Sequence, residues 1–258
     1  MNKPISLVEV DGTHKLNFNQ DLTSHIATQA YFYLQPQGWF NEFPCNEDGI
    51  TPWYTFPAIA FLKDIISPDW KVFEYGGGYS SLYFKNKVAY LATIEHSQEW
   101  GVKLLKENSA LDLHIIREHS GIHPEAQKPI DLFFKTFEQV QTENPTFNYT
   151  HGLLNQEFAG YASMIYQALP NFYDVVAIDG MARSLCAFLA VESNRLKENG
   201  IIILDNSDRP QYNQIQEYLN KKGYGRIDFW GCGWSNYEPW CTSFYSKQFP
   251  MLNKKILR

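Results

Sequence analysis

At 258 residues, 44% hydrophobic and 16% aromatic, the chain is long enough for one large α/β domain with extensions and apolar enough for a substantial core. A net charge of −6 argues against a nucleic-acid backbone as main partner, which calls for a basic face. No apolar run approaches a membrane span, the start Met1-Asn2-Lys3-Pro4-Ile5-Ser6 lacks the apolar stretch of a signal peptide, and Cys45, Cys186, Cys232 and Cys241 form no Cys-x-x-Cys pair, so reduced thiols in a cytoplasmic protein are expected rather than a disulfide frame or a zinc site.

Residues 1–51 read as an N-terminal extension or cap, and residues 52–258 as the main domain. Within the extension, 8–10 and 15–18 flank Asp11-Gly12 as a small hairpin. Residues 23–34 read as a short helix, and Pro36, Gly38 and Pro44 break the chain. A helix is predicted over 57–66, apolar at Ile59, Phe61, Leu62, Ile65 and Ile66 and closed by Ser67-Pro68. Strands then alternate with helices: strand 72–75, a short helix from Ser81, strand 90–95, helix 99–106 and strand 111–117. Residues 119–150 are polar and proline-bearing and read as an irregular insertion. Helix 153–169, strand 174–179, helix 183–197, strand 201–205 and helix 212–222 follow. Two last strands, 225–230 and 242–245, are joined without a helix. This alternation predicts a parallel sheet wound by right-handed crossovers.

The most specific local signal is Lys71-Val72-Phe73-Glu74-Tyr75-Gly76-Gly77-Gly78-Tyr79-Ser80-Ser81, followed by Ala92-Thr93-Ile94-Glu95-His96. An apolar run, an acid and a glycine turn are succeeded by a second apolar run that ends in Glu95. This is the layout of a nucleotide-type pocket at the carboxyl ends of two neighbouring parallel strands. The glycines permit a tight turn and close approach to a ligand, and the second acid can accept hydrogen bonds from both hydroxyls of a ribose. A dinucleotide fingerprint wants a third glycine at position 81, where this chain has Ser81, and it has no place for Glu74.

The Glu-x-Gly-x-Gly arrangement resembles motif I of the class I S-adenosylmethionine (SAM)-dependent methyltransferases, and the resemblance extends over residues 52–246. It implies a Rossmann-like α/β fold whose seven-stranded sheet has six parallel strands and one antiparallel strand, the closing strand pair supplying the latter. It implies SAM as cofactor, held by Glu74, Tyr75, Gly76, Gly78, Ser80, Ser81, Glu95, His96 and Asp179. Glu74 would lie near the methionine end and Glu95 at the ribose. Because SAM has an ammonium group and no pyrophosphate, a nearby carboxylate is an asset and the pyrophosphate glycine is dispensable.

A second constellation lies further on. Asp174-Val175-Val176-Ala177-Ile178-Asp179 and Gly200-Ile201-Ile202-Ile203-Leu204-Asp205-Asn206 are buried-type strands ending in acids, and in an open parallel sheet both ends should face the glycine turn. Asp179, Asp205 and Asn206 make an oxygen-only set that suits Mg²⁺ or another divalent cation. They resemble the metal set of the metal-dependent O-methyltransferases, such as catechol and caffeoyl-coenzyme A O-methyltransferases. The alternative is that Asp179 caps a helix and Asp205-Asn206 forms a turn. Where those enzymes carry a lysine after the first acid, this chain has Met181-Ala182-Arg183. Arginine stays protonated and is no base. Arg183 is therefore a candidate for binding an acceptor carboxylate, or for pairing with Asp179 or Asp205. Without a metal, His151 or Asp179 is the candidate base, with His119 and His123 in the same irregular region.

Trp53, the Asp179-Gly180-Met181-Ala182-Arg183 segment and Trp240-Cys241-Thr242-Ser243 resemble a group of bacterial methyltransferases associated with glycan or polysaccharide modification. The run Phe229 to Trp240, with Trp39, Phe40, Trp53 and Tyr54, offers a stacking platform for sugar or aromatic rings. A cap packed on the core, or an interface between copies in a homo-oligomer, remains the other reading. The resulting expectation is SAM-dependent methylation of a hydroxyl on a small molecule or glycan, with or without a divalent cation. A non-catalytic glycan-binding module and an NAD-dependent oxidoreductase are the rivals.

Overall fold

In a computed structural model, the described residues are 7–10, 13–16, 45–46, 49–143, 155–234 and 236–249. Short apolar runs at the centre bury alternate side chains on opposite faces, as a pleated strand requires. In β5 (Lys71–Tyr75), Val72 joins one core layer, whereas Phe73 and Tyr75 join the other. The same division runs through β6 (Tyr90–Glu95), β8 (Tyr173–Ile178) and β9 (Leu196–Leu204): Leu91, Val175, Ala177 and Ile203 face one way and Ile94, Val176, Ile178, Ile202 and Leu204 the other.

With β7 (Leu113–Ile115), β10 (Gly225–Gly233) and β11 (Asn236–Ser246), these strands form a seven-stranded sheet in the order β10-β11-β9-β8-β5-β6-β7. Strands β5 to β9 pair in parallel, and β11 is antiparallel to both β9 and β10. Six strands therefore share one direction and one opposes them, the Rossmann-like methyltransferase sheet expected. The chain leaves β5 outward to β6 and β7, then returns to β8 on the other side of β5. The crevice between the carboxyl ends of β5 and β8 is thus the switch point at which such sheets bind ligands.

Helices α1 (Phe56–Ile65), α2 (Tyr79–Lys85) and α3 (Gln98–Glu107) cover the face of Val72. Helices α4 (Gln127–Glu143), α5 (Ala159–Ser163), α6 (Arg183–Glu192) and α7 (Asn213–Lys221) cover the face of Phe73. In the N-terminal part, the expected hairpin forms from β1 (Leu7–Val10) and β2 (Thr13–Leu16), and β3 (Cys45–Asn46) pairs with β4 (Gly49–Ile50). The helix expected over 23–34 lies outside the described residues. Among the described residues no helix is long and apolar enough to cross a membrane. Cys186 and Cys241 are free, buried thiols.

The structure departs from the sequence expectations in several places, each with a local cause. The stretch beginning at 119, expected to be irregular, contains the seventeen-residue helix α4. Its core side is Ile130, Phe133 and Phe137, with Phe134 packed against the cluster, a helical spacing that Pro129 masked. Proline is tolerated there because the first turn has no hydrogen-bond partner for its N–H. The helix expected to run to 197 stops at Glu192, and Asn194 adopts the left-handed backbone (φ 61°) that ends helices. The helix expected over 153–169 is broken at Phe158 and tightens into a 3₁₀ turn over Met164–Gln167. There the backbone at Gly160 lies against Ser120, whose carbonyl a Cβ would meet at 2.2 Å. The aromatic run from Phe229 to Trp240, expected to extend beyond the strand ending at 230 and to stop short of the one starting at 242, lies within the longer hairpin of β10 and β11.

Phe133 packs on Phe137 and Phe188 at ring distances of 4.6 and 5.4 Å, while Leu132 one position earlier is 47% exposed. Phe133→Ala is expected to cost about 3–5 kcal/mol in urea unfolding. Leu132→Ala should stay within about 0.5 kcal/mol. Equal effects would refute the packing of α4.

Candidate active site

The turn after β5 is shaped by contact between two backbones. Gly76 has φ +91°, and a Cβ on it would stand 2.5 Å from the Gly180 nitrogen. A Cβ on Gly180 would stand 2.1 Å from the Tyr161 hydroxyl. The loops after β5 and β8 therefore touch at two glycines, and only glycine fits at either. Gly77 packs over Thr93, Leu104 and Leu113. Gly78 is different: its backbone is extended, and a Cβ there would meet only the Ser80 hydroxyl, at 3.7 Å. Its backbone face is bare toward open space.

Ser81, at the position of the missing third glycine, ties this turn together. Its hydroxyl accepts from the Gly78 N–H at 2.9 Å and donates to Glu74 Oε2 at 2.5 Å. The Thr93 hydroxyl donates to the same oxygen at 2.9 Å. Glu74 is 1% exposed, and its Oε1 is buried without a hydrogen-bond partner, with Ser80 nearby. Burial pushes the Glu74 carboxyl up to about 7 against an ordinary 4.5, although the hydroxyls of Ser80, Ser81 and Thr93 favour its charged form.

Tyr54, just before α1, reaches the same acidic cluster. It is 1% exposed, and its hydroxyl is buried without a partner. Burial first, and then the charges of Glu74, Asp179 and Asp205, raise its phenol well above the ordinary value, so it stays a donor. Two orphaned polar atoms, an acceptor and a donor, thus accompany an acidic cluster beside a bare glycine backbone. Buried groups of this kind carry a desolvation cost until a partner arrives. An ammonium-bearing ligand fits Glu74 Oε1, and a carboxylate or other acceptor fits Tyr54. SAM, which carries an ammonium and a carboxylate at its methionine end, satisfies this donor set.

Glu95 reaches the glycine turn as expected, but the protein's own N–H groups engage it. Oε2 accepts from Gly77 at 2.9 Å and Oε1 from Ser97 at 2.6 Å, and the residue is 3% exposed. The Trp100 indole donates to the Gly77 carbonyl at 2.7 Å, which pins the turn from its other side. Trp53 lies 4.9 Å from the Tyr79 ring and 6.3 Å from that of Trp100, leaving a partly exposed indole above them.

The second constellation also assembles, around an unexpected centre. The Arg183 guanidinium donates to both the Asp179 carboxylate (2.8 Å) and carbonyl (3.0 Å), the Gly180 carbonyl (3.0 Å), the Asp205 carbonyl (2.7 Å) and the Asn206 side-chain oxygen (3.1 Å). Asn206 adopts a left-handed backbone (φ 51°) to present that oxygen. Asp205 is 3% exposed, and its Oδ1 accepts from the Trp240 indole at 3.0 Å and the Thr242 hydroxyl at 2.5 Å. Burial, and then the neighbouring Asp179, push its carboxyl up to about 7. Burial also raises Asp179, opposed by Arg183. The expected metal set is therefore corrected in one respect. Asp179, Asp205 and Asn206 do converge, yet the guanidinium takes the side-chain oxygens of Asp179 and Asn206 while the Asp205 carboxylate turns to Trp240 and Thr242, and the residues do not fit a divalent ion beside it. Nor does Arg183 have a donor to spare for an acceptor carboxylate, since all five of its N–H groups are engaged.

Other candidates distribute as follows. Tyr75 turns to the opposite face of the sheet, where its hydroxyl donates to the Ala162 carbonyl at 2.6 Å, so its side chain does not line the turn. Ser80 is buried at the start of α2. His96 stands edge-on to Phe158, with Nδ1 2.9 Å from Glu95 Oε1. His119 and His123 are engaged in loop structure: the His119 N–H donates to the Glu157 carbonyl, and the His123 ring stacks on Tyr166. His151, Trp39 and Phe40 lie outside the described residues. Trp234 and Trp240 are buried, which corrects the stacking-platform reading for these two, whereas Trp230 is 56% exposed on β10. Sequence reasoning missed Tyr54 as a polar site residue, and missed Trp240 and Thr242 as the support of Asp205. The one local signal for the latter is their spacing of two on β11, which puts both on one face.

No protein-family profile matches the chain, and no curated protein does. Among solved structures it is similar to a precorrin-6y C5,15-methyltransferase from Geobacter metallireducens (17% identity over 80% of this chain and 96% of that one, TM-score 0.46). It is also similar to a TehB-like SAM-dependent methyltransferase from Corynebacterium glutamicum (10% identity, 89% and 100% covered, TM-score 0.42). A third is a putative methyltransferase from Streptococcus mutans in complex with SAH (8% identity, 72% and 94% covered, TM-score 0.40). The fold assignment rests on the strand order itself.

Because Glu95 holds Gly77 and Ser97, Glu95→Ala should destabilise the ligand-free protein by about 2–4 kcal/mol in urea unfolding. A variant as stable as the parent would show that these bonds hold nothing. The raised carboxyls set a pH dependence. Glu74 and Asp205 bind protons more tightly folded than unfolded, so their contribution is most favourable below about pH 4 and is lost as pH rises to about 7. Ligand-free protein should therefore melt lower at pH 8 than at pH 6. Glu74→Gln should flatten that slope and gain on the order of 3 kcal/mol at pH 8. An unchanged slope in the variant would refute the buried, raised carboxyl.

Proposed function

We propose that the chain transfers a methyl group from SAM to an acceptor hydroxyl on a small molecule or on a sugar unit of a glycan. The observation that carries this reading is the buried, unpartnered Oε1 of Glu74, whose other oxygen is tied through Ser81 to the Gly78 turn, with the unpartnered Tyr54 hydroxyl in the same acidic cluster. SAM supplies an electrophilic methyl on a sulfonium. Glu74 would hold the methionine ammonium, and Tyr54 the carboxylate. The remaining lone pairs of Glu95 would serve the ribose hydroxyls, with His96 and Phe158 beside them.

The protein's own part in such a transfer is chiefly alignment. Displacement at the methyl carbon needs the acceptor oxygen, carbon and sulfur in line, and well-oriented reactants gain about 7–11 kcal/mol over free ones. Asp179 is the carboxylate best suited to take the acceptor proton, since its side chain stays 27% exposed at the strand-end crevice whereas Glu74 and Asp205 are closed off. The exposed Trp53 indole offers an apolar face to a sugar or aromatic acceptor. A dinucleotide cofactor is disfavoured by Ser81, whose hydroxyl is committed to Glu74 and Gly78.

Titration calorimetry with SAM and with S-adenosylhomocysteine tests the reading. Micromolar binding is expected for the parent, and Glu74→Gln should weaken it by about 1.5–3 kcal/mol, or roughly 10- to 150-fold. Absence of binding by either compound would overturn it. Tight binding with no transfer to any hydroxyl acceptor would favour the non-catalytic module.

A further inference from the structure

Arg183 opens helix α6, where a positive charge opposes the helix dipole and an ordinary side chain would extend into solvent. Instead it folds back and is 11% exposed. Each of its five N–H groups meets an oxygen at 2.7–3.1 Å: the Asp179 carboxylate, the Asn206 amide, and the carbonyls of Asp179, Gly180 and Asp205. Two of these residues follow β8 and two follow β9. They supply the side-chain oxygens of Asp179 and Asn206, two of the three that would otherwise form a hard-cation site, while the third, the Asp205 carboxylate, accepts from Trp240 and Thr242. A divalent ion sharing those oxygens would lie against the guanidinium, so the two cations exclude one another. Ala182, immediately before, holds the left-handed backbone (φ 48°), a strain that places the arginine at the head of the helix and inside this cage.

We propose that Arg183 is the resident cation of the site: its guanidinium holds the ends of β8 and β9 together where a divalent ion would otherwise stand. Arg183 is a positioning residue, acting through Asp179 and Asn206, and the protein needs no metal to order these loops. The further statement that methyl transfer is metal-independent rests on the SAM reading above.

The test is cation binding itself, read by calorimetry and thermal melting on chelator-stripped protein. The parent should show no saturable response to millimolar Mg²⁺ or Mn²⁺. Arg183→Ala empties an oxygen-lined cage, so it should melt lower than the parent and be partly restored by low-millimolar guanidinium ion or Mn²⁺, neither of which raises the parent. Arg183→Lys should fall between them, because an ammonium reaches fewer of the oxygens. Saturable Mg²⁺ or Mn²⁺ binding by the parent that Asp179→Asn abolishes would overturn the proposal. So would an Arg183→Ala protein that melts like the parent and ignores added cations. Should Arg183→Ala fail to fold, the parent titration and Arg183→Lys still decide. S-adenosylhomocysteine binding, measured in parallel, separates the two readings: its failure, with the cation results as expected, sinks the methyltransferase proposal and leaves the resident cation standing.

Discussion

The backbones of Gly76 and Gly180 pass one another with no room for a side chain on either, and the rest of the site is arranged around that contact. It brings the ends of β5 and β8 together at the point where the strand order reverses, which sets Glu74 and Asp179 on neighbouring parallel strand ends. Tyr161 closes the space beneath, and its hydroxyl donates to the Ile94 carbonyl of β6 at 3.3 Å. Larger residues at either glycine would force the loops apart and dissolve the cluster of acids.

That cluster has an electrostatic cost that the protein meets unevenly. Among Glu74, Asp179 and Asp205, the Arg183 guanidinium acts on Asp179 and Asp205, and Arg209 adds its charge at Asp179, so the site holds more negative charge than it neutralises. Asp179 takes the ion pair. Asp205 takes hydrogen bonds from Trp240 and Thr242, and Glu74 takes those of Ser81 and Thr93. Burial raises both Glu74 and Asp205, Asp179 adds to it, and their neutral donors offset only part, so both are pushed up to about 7. Two routes relieve the imbalance: protonation, or a cationic ligand. The proposed SAM site is of the second kind.

The closing hairpin does more than finish the sheet. Along β11, Trp240 and Thr242 face Asp205, and Thr242 also accepts from the Thr55 N–H at 3.2 Å. Ser243 faces the other way, into a network with Ser207 and Asp228. Thr55 in turn donates to the Phe229 carbonyl, which fixes the segment that carries Trp53 and Tyr54. The segment that delivers Tyr54 is thus secured by the last strands of the chain.

Much of this was legible in the order of residues. Apart from the stretch 119–150, the alternation of strands and helices from 71 to 245 follows from short apolar runs at the strands and helical spacing between them. The acids and glycines at strand ends follow from the rule that an open parallel sheet gathers its chemistry there. These are local patterns, and the sequence by itself determined the sheet, the glycine turn and the convergence of Glu74, Glu95, Asp179 and Asp205. Only the tertiary structure decided what each acid would hold. Gly77 and Ser97 engage Glu95, a guanidinium stands where a metal was expected, Thr242 reaches Asp205 across 37 residues, and the segment bearing Tyr54 is pinned to Thr242 across 187. The physical reason is that a strand-end carboxylate is placed by its own run, whereas its counter-charge comes from whichever element the packing brings against it.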